Sequence, residues 1–166
     1  LNAFGISITT FTGQNYGAGK MDRVHKGVNV CLAIAAGTTI ALSTVLYLWG
    51  QYILLLFTDD AAVLSIGVDI LHFLMPTLIT YVAIEIYSGS LRGIGDCWIP
   101  MILTCAGVCV LRILWILIAV PFHRTIQMVI VSYPITWTVT TILFFVYFHL
   151  FSRLGKKGKL GQAQTL

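Results

Sequence analysis

Hydrophobic residues in this chain are gathered into long uninterrupted runs. Residues 27–57 contain no Asp, Glu, Lys, Arg or His, and neither do residues 125–148. Two further apolar stretches, 61–91 and 98–122, carry a few ionisable residues. A run of about 20 apolar residues can cross a hydrocarbon layer about 30 Å thick as an α-helix. The pattern therefore predicts four transmembrane helices, at 27–57, 61–91, 98–122 and 125–151.

Composition places the chain in the same class. Hydrophobic residues make up 58% of the sequence, charged residues make up only 10%, and the mean hydropathy is +0.91. A water-soluble domain carries about 25% charged residues, so a soluble fold of this length would lack the charges to cover its surface. We therefore predict an all-α integral membrane protein, a polytopic helical bundle whose surroundings are the lipid bilayer.

The residues around the four spans suggest how the chain is organised. The apolar run at 1–11 is too short to cross a bilayer, so residues 1–19 are expected to be the end of a preceding helix and a glycine-rich cytoplasmic turn. The chain begins at Leu1, and we expect it to be a fragment of a longer protein. Residues 20–152 would form the helical lobe, and 153–166 a basic cytoplasmic tail.

Basic residues outside the spans are unevenly distributed. With short connectors, every such Lys and Arg except Arg124 falls on one side of the membrane. These residues are Lys20, Arg23, Lys26, Arg92, Arg153, Lys156, Lys157 and Lys159. Because cytoplasmic loops are enriched in Lys and Arg, we predict a multi-pass protein of the plasma membrane with a cytoplasmic C-terminus. The net charge of +4 follows from this bias and requires no nucleic-acid partner.

The sequence offers little for catalysis or for cofactor binding. The segment GQNYGAGK superficially resembles a phosphate-binding loop, but five residues separate Gly13 from Gly19 and Met21 follows the Lys. Its glycines instead predict a tight turn, and Gly13 and Gly17 are spaced for a small-residue helix contact. The four cysteines have no His or carboxylate at metal-ligand spacing. We predict no enzymatic site, no cofactor and no metal.

Glu85 is the leading candidate for chemistry inside a span. It lies about 9 Å from the inner end of the second span, where an ionisable side chain is costly and is therefore a functional hypothesis. Tyr81, Ser88 and Arg92 share its helical face. Two interpretations stay open: a carboxylate that binds a proton or cation in a water-filled cavity, or a structural group that pairs with Arg92 or anchors another helix.

Arg112, near the middle of the third span, is the second candidate, because a permanently charged guanidinium must face protein or water. It would hold an anionic group or line a cavity. Asp69 lies at a matching depth and could pair with it, or Asp69 is interfacial and hydrated. Pro76 and Pro134 lie inside the second and fourth spans, where a missing N–H is expected to kink the helix or create a hinge.

Three segments together resemble the C-terminal half of the multidrug and toxic compound extrusion (MATE) transporters. They are GQNYGAGKMDRV at 13–24, SGSLRGIGD at 88–96 followed by Pro100, and SYPITW at 132–137. Their motif residues are Gly13, Gln14, Asn15, Gly17, Gly19, Arg92, Gly93, Gly95, Asp96, Pro134 and Trp137. The resemblance covers the chain except its basic tail, from the end of the eighth helix of the family through the twelfth.

The resemblance implies an antiporter with two six-helix lobes that exports hydrophobic or cationic drugs and toxic compounds in exchange for Na⁺ or H⁺ by alternating access. The chain would be most of the second lobe, and its partners would be the missing N-terminal lobe and small-molecule substrates. Tyr81 aligns with a cavity-facing Asp of some members, and Glu85, one turn further, would substitute for it. Arg112 resembles an Arg common in the eleventh helix. Glu85, Tyr81 and Arg112 are thus the candidates for transport and cation coupling.

Two other functions fit the same pattern of spans. A lipid-linked oligosaccharide flippase of related fold would share the topology, but its anionic substrates favour a more basic cavity than Arg112 alone supplies. A self-contained four-helix membrane protein, acting as a channel or scaffold, would need a sealed bundle of its own. Ethidium efflux that depends on Na⁺ or pH would separate the antiporter from the flippase.

Overall fold

The computed structural model describes residues 1–121 and 125–151, and within these ranges it is helical and contains no strand. The α-helices are α1 (Asn2–Gly17), α2 (Met21–Leu54), α3 (Ala61–Leu74), α4 (Leu78–Gly93), α5 (Trp98–Thr104), α6 (Leu111–Ala119) and α7 (Ile126–Val146). A 3₁₀ turn, Met75–Thr77, joins α3 to α4. Wider π-helical segments, Cys105–Val110 and Tyr147–Phe151, follow α5 and α7.

The described residues contain four continuous helical stretches that are long and apolar enough to cross a membrane. They are Met21–Leu54, Ala61–Gly93, Trp98–Ala119 and Ile126–Leu150. The predicted fold class and its four full-length helices are confirmed. The first predicted span corresponds to α2, which begins at Met21 and not at residue 27. The helix includes the charged residues that precede the apolar run. Arg124 and the predicted tail at 153–166 lie outside the described residues.

Helices α1 and α4 pack with their backbones in contact. A Cβ placed on Gly89 would lie 2.7 Å from the carbonyl oxygen of Gly5, and one placed on Gly93 would lie 2.5 Å from that of Thr9. The Thr9 hydroxyl lies 2.7 Å from the carbonyl oxygen of Gly5 and 2.9 Å from that of Gly89. Small residues at such a crossing allow two membrane helices to approach closely. This glycine seam (Gly5, Gly13, Gly89 and Gly93) fixes α4 against α1.

The predicted helix contact of Gly13 is present, but that of Gly17 is wrong. A Cβ on Gly13 would lie 3.1 Å from the carbonyl oxygen of Gly93, whereas one on Gly17 would meet no atom within 4 Å. The reason is that Gly93 is the last residue of α4, so no helix remains to pack against the following turn of α1. Positive φ angles instead occur at Gly19, at 71°, and Gly95, at 85°, in the turns after α1 and α4.

The two prolines have different effects on their helices. Pro76 lies in the 3₁₀ turn that separates α3 from α4, which agrees with the interruption expected of a missing N–H. Pro134 lies inside α7, which stays α-helical on both sides of it. The π-helical segment in the middle of the third span was not predicted. There, Gly107 provides the space into which the Thr140 side chain of α7 packs.

The best-buried element is the C-terminal half of α4. Every residue from Ile86 to Leu91 is buried, and this stretch packs against α1, α2 and α7. The buried apolar core also contains Val24 and Val28 of α2 and Phe144 of α7. Large apolar side chains elsewhere on α2, α5, α6 and α7 are exposed, as expected of surfaces that meet lipid or another part of a larger bundle. The residues of greatest interest are therefore carried by a helix that is held on three sides.

Candidate functional site

Tyr81 and Glu85 form the polar centre of α4. The Tyr81 hydroxyl donates a hydrogen bond of 2.8 Å to Glu85 Oε1, and both side chains are half-buried. Glu85 Oε2 faces α1, where a Cβ on Gly5 would lie only 2.7 Å away from it. The absence of a side chain at Gly5 thus leaves room for the carboxylate between the two helices. Glu85 has a fixed position in a membrane-spanning segment and a polar partner of its own.

Arg92 shares the face of Glu85, as predicted, but within the described part of the chain no ion pair joins them. Arg92 is exposed, and its Nε donates a long hydrogen bond of 3.4 Å to the carbonyl oxygen of Ser88. Its Nη2 lies 3.9 Å from the position of a Cβ on Gly5, so both charged groups flank the same bare stretch of α1. The interpretation of Glu85 as a structural ion pair with Arg92 is therefore wrong for this structure. The alternative that Glu85 anchors another helix stays a prediction, with Gly5 of α1 as the nearest backbone on that side.

Trp137 of α7 connects the Glu85 centre to the neighbouring helix. Its ring centroid lies 5.5 Å from that of Tyr81, with a tilt of 49° between the planes. On the other side, the Tyr133 ring lies 5.7 Å from Trp137 in an edge-to-face arrangement, at 76°. These are favourable aromatic geometries. The three rings, Tyr81, Trp137 and Tyr133, form a continuous aromatic line from α4 along α7.

Arg112 lies at the far end of the aromatic line. Its Cζ atom is 4.0 Å from the centroid of the Tyr133 ring, at cation–π distance, and its Nη2 donates a hydrogen bond of 3.3 Å to Thr136 Oγ1. Its Nε is buried and has no hydrogen-bond partner among the described residues. Asp69 is exposed and has no contact with Arg112. The suggested Asp69–Arg112 pair is therefore wrong, and the guanidinium contacts neutral groups of α7 instead.

The three predicted transport candidates are thus brought into one arrangement, with Glu85 and Arg112 at opposite ends of the aromatic line. The sequence did not identify two residues of this arrangement, Tyr133 and Gly5, as site residues. Tyr133 stands within the SYPITW segment one turn before Trp137, and this spacing of two aromatic residues was the available signal. Gly5 gave no signal, because its role depends on which helix lies opposite it.

The other motif residues lie in turns and helix contacts. Asn15 donates a hydrogen bond of 2.8 Å to the carbonyl oxygen of Phe11 within its own helix, and Gln14 is exposed. Asp96 Oδ2 accepts a hydrogen bond of 2.7 Å from the hydroxyl of Tyr147, which ties the connector after α4 to the end of α7. These residues position the helices, and they are separate from the Glu85 centre.

The arrangement has two chemical capacities. A carboxylate held by a single phenol donor keeps lone pairs for a proton or a monovalent cation, which bind oxygen ligands. The faces of the Trp and Tyr rings attract organic cations through their quadrupoles, most strongly where water is excluded. An acidic group and an aromatic surface therefore lie side by side in the same membrane-spanning region.

Comparison with known proteins gives one family and one fold. The MatE family model matches residues 1–118. An inward-facing multidrug resistance MATE family transporter of the MOP superfamily superposes with a TM-score of 0.81 at 20% identity, over 93% of this chain and 36% of that chain. An outward-facing structure of such a transporter gives 0.81 at 21% identity, over 92% and 34%.

A crystal structure of MATE in complex with MaL6 also superposes with a TM-score of 0.81, at 20% identity over 92% of this chain and 34% of that one. The chain thus spans about a third of the length of these solved structures and shares their fold over that third. No curated protein matches it.

Proposed function

The chain belongs to the MatE family, and on that premise we propose that it supplies most of one lobe of an antiporter that exports hydrophobic or cationic compounds in exchange for Na⁺ or H⁺. The other lobe, N-terminal to it in the same protein, would complete the central cavity. Transport would proceed by alternating access in the plasma membrane, with the Lys20 loop and the C-terminus in the cytoplasm.

The observation that carries this proposal is the environment of Glu85. An ionisable residue in a membrane span is costly to insert, by about 2.5–3.5 kcal/mol for Asp at the centre of a helix, and is retained where it has a partner or a function. Glu85 has one hydrogen bond, from Tyr81, and among the described residues no cation neutralises it. A carboxylate in this state gains from binding a proton or Na⁺, which is the requirement for coupling export to an ion gradient.

The aromatic line supports the choice of exported compound. Organic cations and planar aromatic compounds bind well to ring faces, and Trp137 provides the largest such face near Glu85. A cation that stacks on Trp137 would be close to the same carboxylate that binds the coupling ion. Competition between the two for Glu85 would link export of one to import of the other.

A flippase for anionic lipid-linked sugars would require free positive charge beside the substrate. The guanidinium of Arg112 already contacts the Tyr133 ring and the Thr136 hydroxyl. In this position Arg112 is better suited to packing α6 against α7 than to binding a pyrophosphate. These contacts favour the antiporter over the flippase.

Ethidium efflux by the full-length protein tests the proposal. In cells that lack their own efflux pumps, the protein should export ethidium at a rate that rises with an inward Na⁺ or proton gradient. Glu85→Gln should abolish the dependence on the gradient, because the amide binds neither ion, whereas Glu85→Asp should keep part of it. Asp22→Asn, which removes an exposed carboxylate from the first turn of α2, is the matched control. Coupled export that survives Glu85→Gln would refute the role of Glu85.

A further inference from the structure

A cavity of about 660 Å³ lies between α3 and the beginning of α7, apart from the Glu85 centre. Apolar side chains form most of its wall, including Ile70 and Phe73 of α3 and Ile130 and Val131 of α7. Asp69 and Gln127 supply polar groups at the same wall. A concave, mainly apolar space with a few polar groups, within the usual range of about 300–1,000 Å³, is typical of small-molecule sites.

Among the described residues that line this cavity, Asp69 carries the only formal charge. Asp69 is exposed, and in the described part of the chain it has neither an ion pair nor a side-chain hydrogen bond. The basic groups nearest to it along α3 and α4 are His72, which contacts the carbonyl oxygen of Tyr47 on α2, and Arg92 at the far end of α4. A ligand that enters the cavity therefore meets one carboxylate among aliphatic and aromatic side chains.

The cavity and the aromatic line both lie between α7 and the helix pair α3 and α4. On α7, Ile130 precedes Trp137 by two helical turns, and Phe73 precedes Tyr81 by about as many turns across the 3₁₀ break. At about 1.5 Å per residue this separation is about 10–12 Å. The cavity and the Glu85 centre therefore lie one after the other along the interface of α3 and α4 with α7. The cavity is nearer the side of the membrane that we propose to be outside.

We propose that this cavity is a second binding site for the exported compound, specific for hydrophobic organic cations, with Asp69 as the counter-charge. Only the claim that the bound compound is exported rests on the proposed function. Binding of an organic cation in the cavity does not depend on it. A lipid acyl chain would fill the apolar volume but would leave the carboxylate without a partner. An organic cation satisfies both parts of the wall.

Equilibrium binding of radiolabelled tetraphenylphosphonium to the purified full-length protein tests the site, with no ion gradient present. Asp69→Asn should weaken binding about three- to tenfold, the scale of one partly desolvated charge contact. Asp22→Asn is the charge control, because Asp22 is exposed on α2 and does not line the cavity. Measurement in a Glu85→Gln background separates the two sites. The Glu85→Gln variant should still bind tetraphenylphosphonium, and adding Asp69→Asn to it should weaken that remaining binding.

A second pair of variants tests the cavity without altering the charge. Val131→Trp should fill the space and weaken binding to a similar extent, whereas Val129→Trp, on an exposed position of the same helix outside the cavity, should not. Unchanged affinity in either Asp69→Asn or Val131→Trp would overturn the proposal, the latter because another part of the protein would then occupy the cavity. Asp69-dependent binding without ethidium efflux would instead refute the proposed antiport alone.

Discussion

The Tyr81 hydroxyl lies 2.8 Å from Glu85 Oε1, one turn further along the same helix. This contact is local, because residues four apart on a helix are neighbours. Its setting is not local: Trp137 of α7 covers the Tyr81 ring, and the bare backbone of α1 at Gly5 faces the carboxylate. The position of Glu85 is thus set from three helices.

Removing the Tyr81 hydroxyl should change the response to the coupling ion without removing the carboxylate. We expect Tyr81→Phe to shift the half-saturating concentration about three- to tenfold, upward for Na⁺, because Glu85 is no longer fixed in place, and downward for H⁺, because a carboxylate that loses a hydrogen-bond donor holds a proton more tightly. Ethidium efflux against graded Na⁺ or pH measures it. Tyr87→Phe on the same helix is the control, and equal behaviour of the two variants would argue against a role for the hydroxyl.

The glycine seam predicts a large difference between two similar substitutions. Gly89→Ala places a methyl group 2.7 Å from the carbonyl oxygen of Gly5 and should destabilise the protein by about 1–3 kcal/mol. Gly37→Ala, in α2, meets no atom within 4 Å and should be neutral or stabilising, because Ala favours helix by about 1 kcal/mol. Thermal unfolding of the full-length protein in detergent compares them. A lower melting temperature for Gly37→Ala than for Gly89→Ala would contradict the packing described.

The contact between Arg112 and Tyr133 can be measured by a double-mutant cycle. We expect a coupling free energy of about 0.5–2 kcal/mol between Arg112→Met and Tyr133→Leu, the range for cation–π contacts from exposed to desolvated sites. Unfolding midpoints of the single and double variants give this value. Additive effects would show that the guanidinium gains nothing from the ring, and Arg112 would then need another partner.

The orientation inferred from the basic residues is also open to measurement. In a cysteine-free version of the full-length protein, a membrane-impermeant maleimide added outside intact cells should label Asp59→Cys, in the connector between α2 and α3, and leave Lys20→Cys unlabelled. Permeabilised cells should label both positions and so control for reactivity. Labelling of Lys20→Cys and not of Asp59→Cys from outside would contradict the proposed topology and the proposed direction of export.

Apolar runs were enough to predict the spans, because the length of a membrane helix is imposed by the bilayer and leaves a direct trace in the sequence. Glu85, Tyr81 and Arg112 were found for a related reason: polar groups are rare inside such runs. The contacts among them could not be found that way. Whether Arg112 meets Asp69 or Tyr133 depends on the rotation of α6 relative to α7, which many similar apolar side chains determine together.

Gly17 and Arg92 illustrate the same limit. Their spacing on a helix face was read correctly, but contact also requires something opposite that face. Helix α4 ends at Gly93, before the turn of α1 that carries Gly17, and the Arg92 side chain bonds to its own helix. Spacing specifies a face, and only the neighbouring helix specifies what that face meets.

The π-helical turn at Cys105–Val110 ends two residues before Arg112 in the third span. A π-helical turn holds one residue more than an α-helical turn, and such a surplus can travel along a helix while nearly all main-chain hydrogen bonds are exchanged for equivalent ones. If it moved past Arg112, the guanidinium would swing by about 100° around the helix axis and leave Tyr133. A ratchet of this kind would let the charge change sides without any helix tilting or sliding.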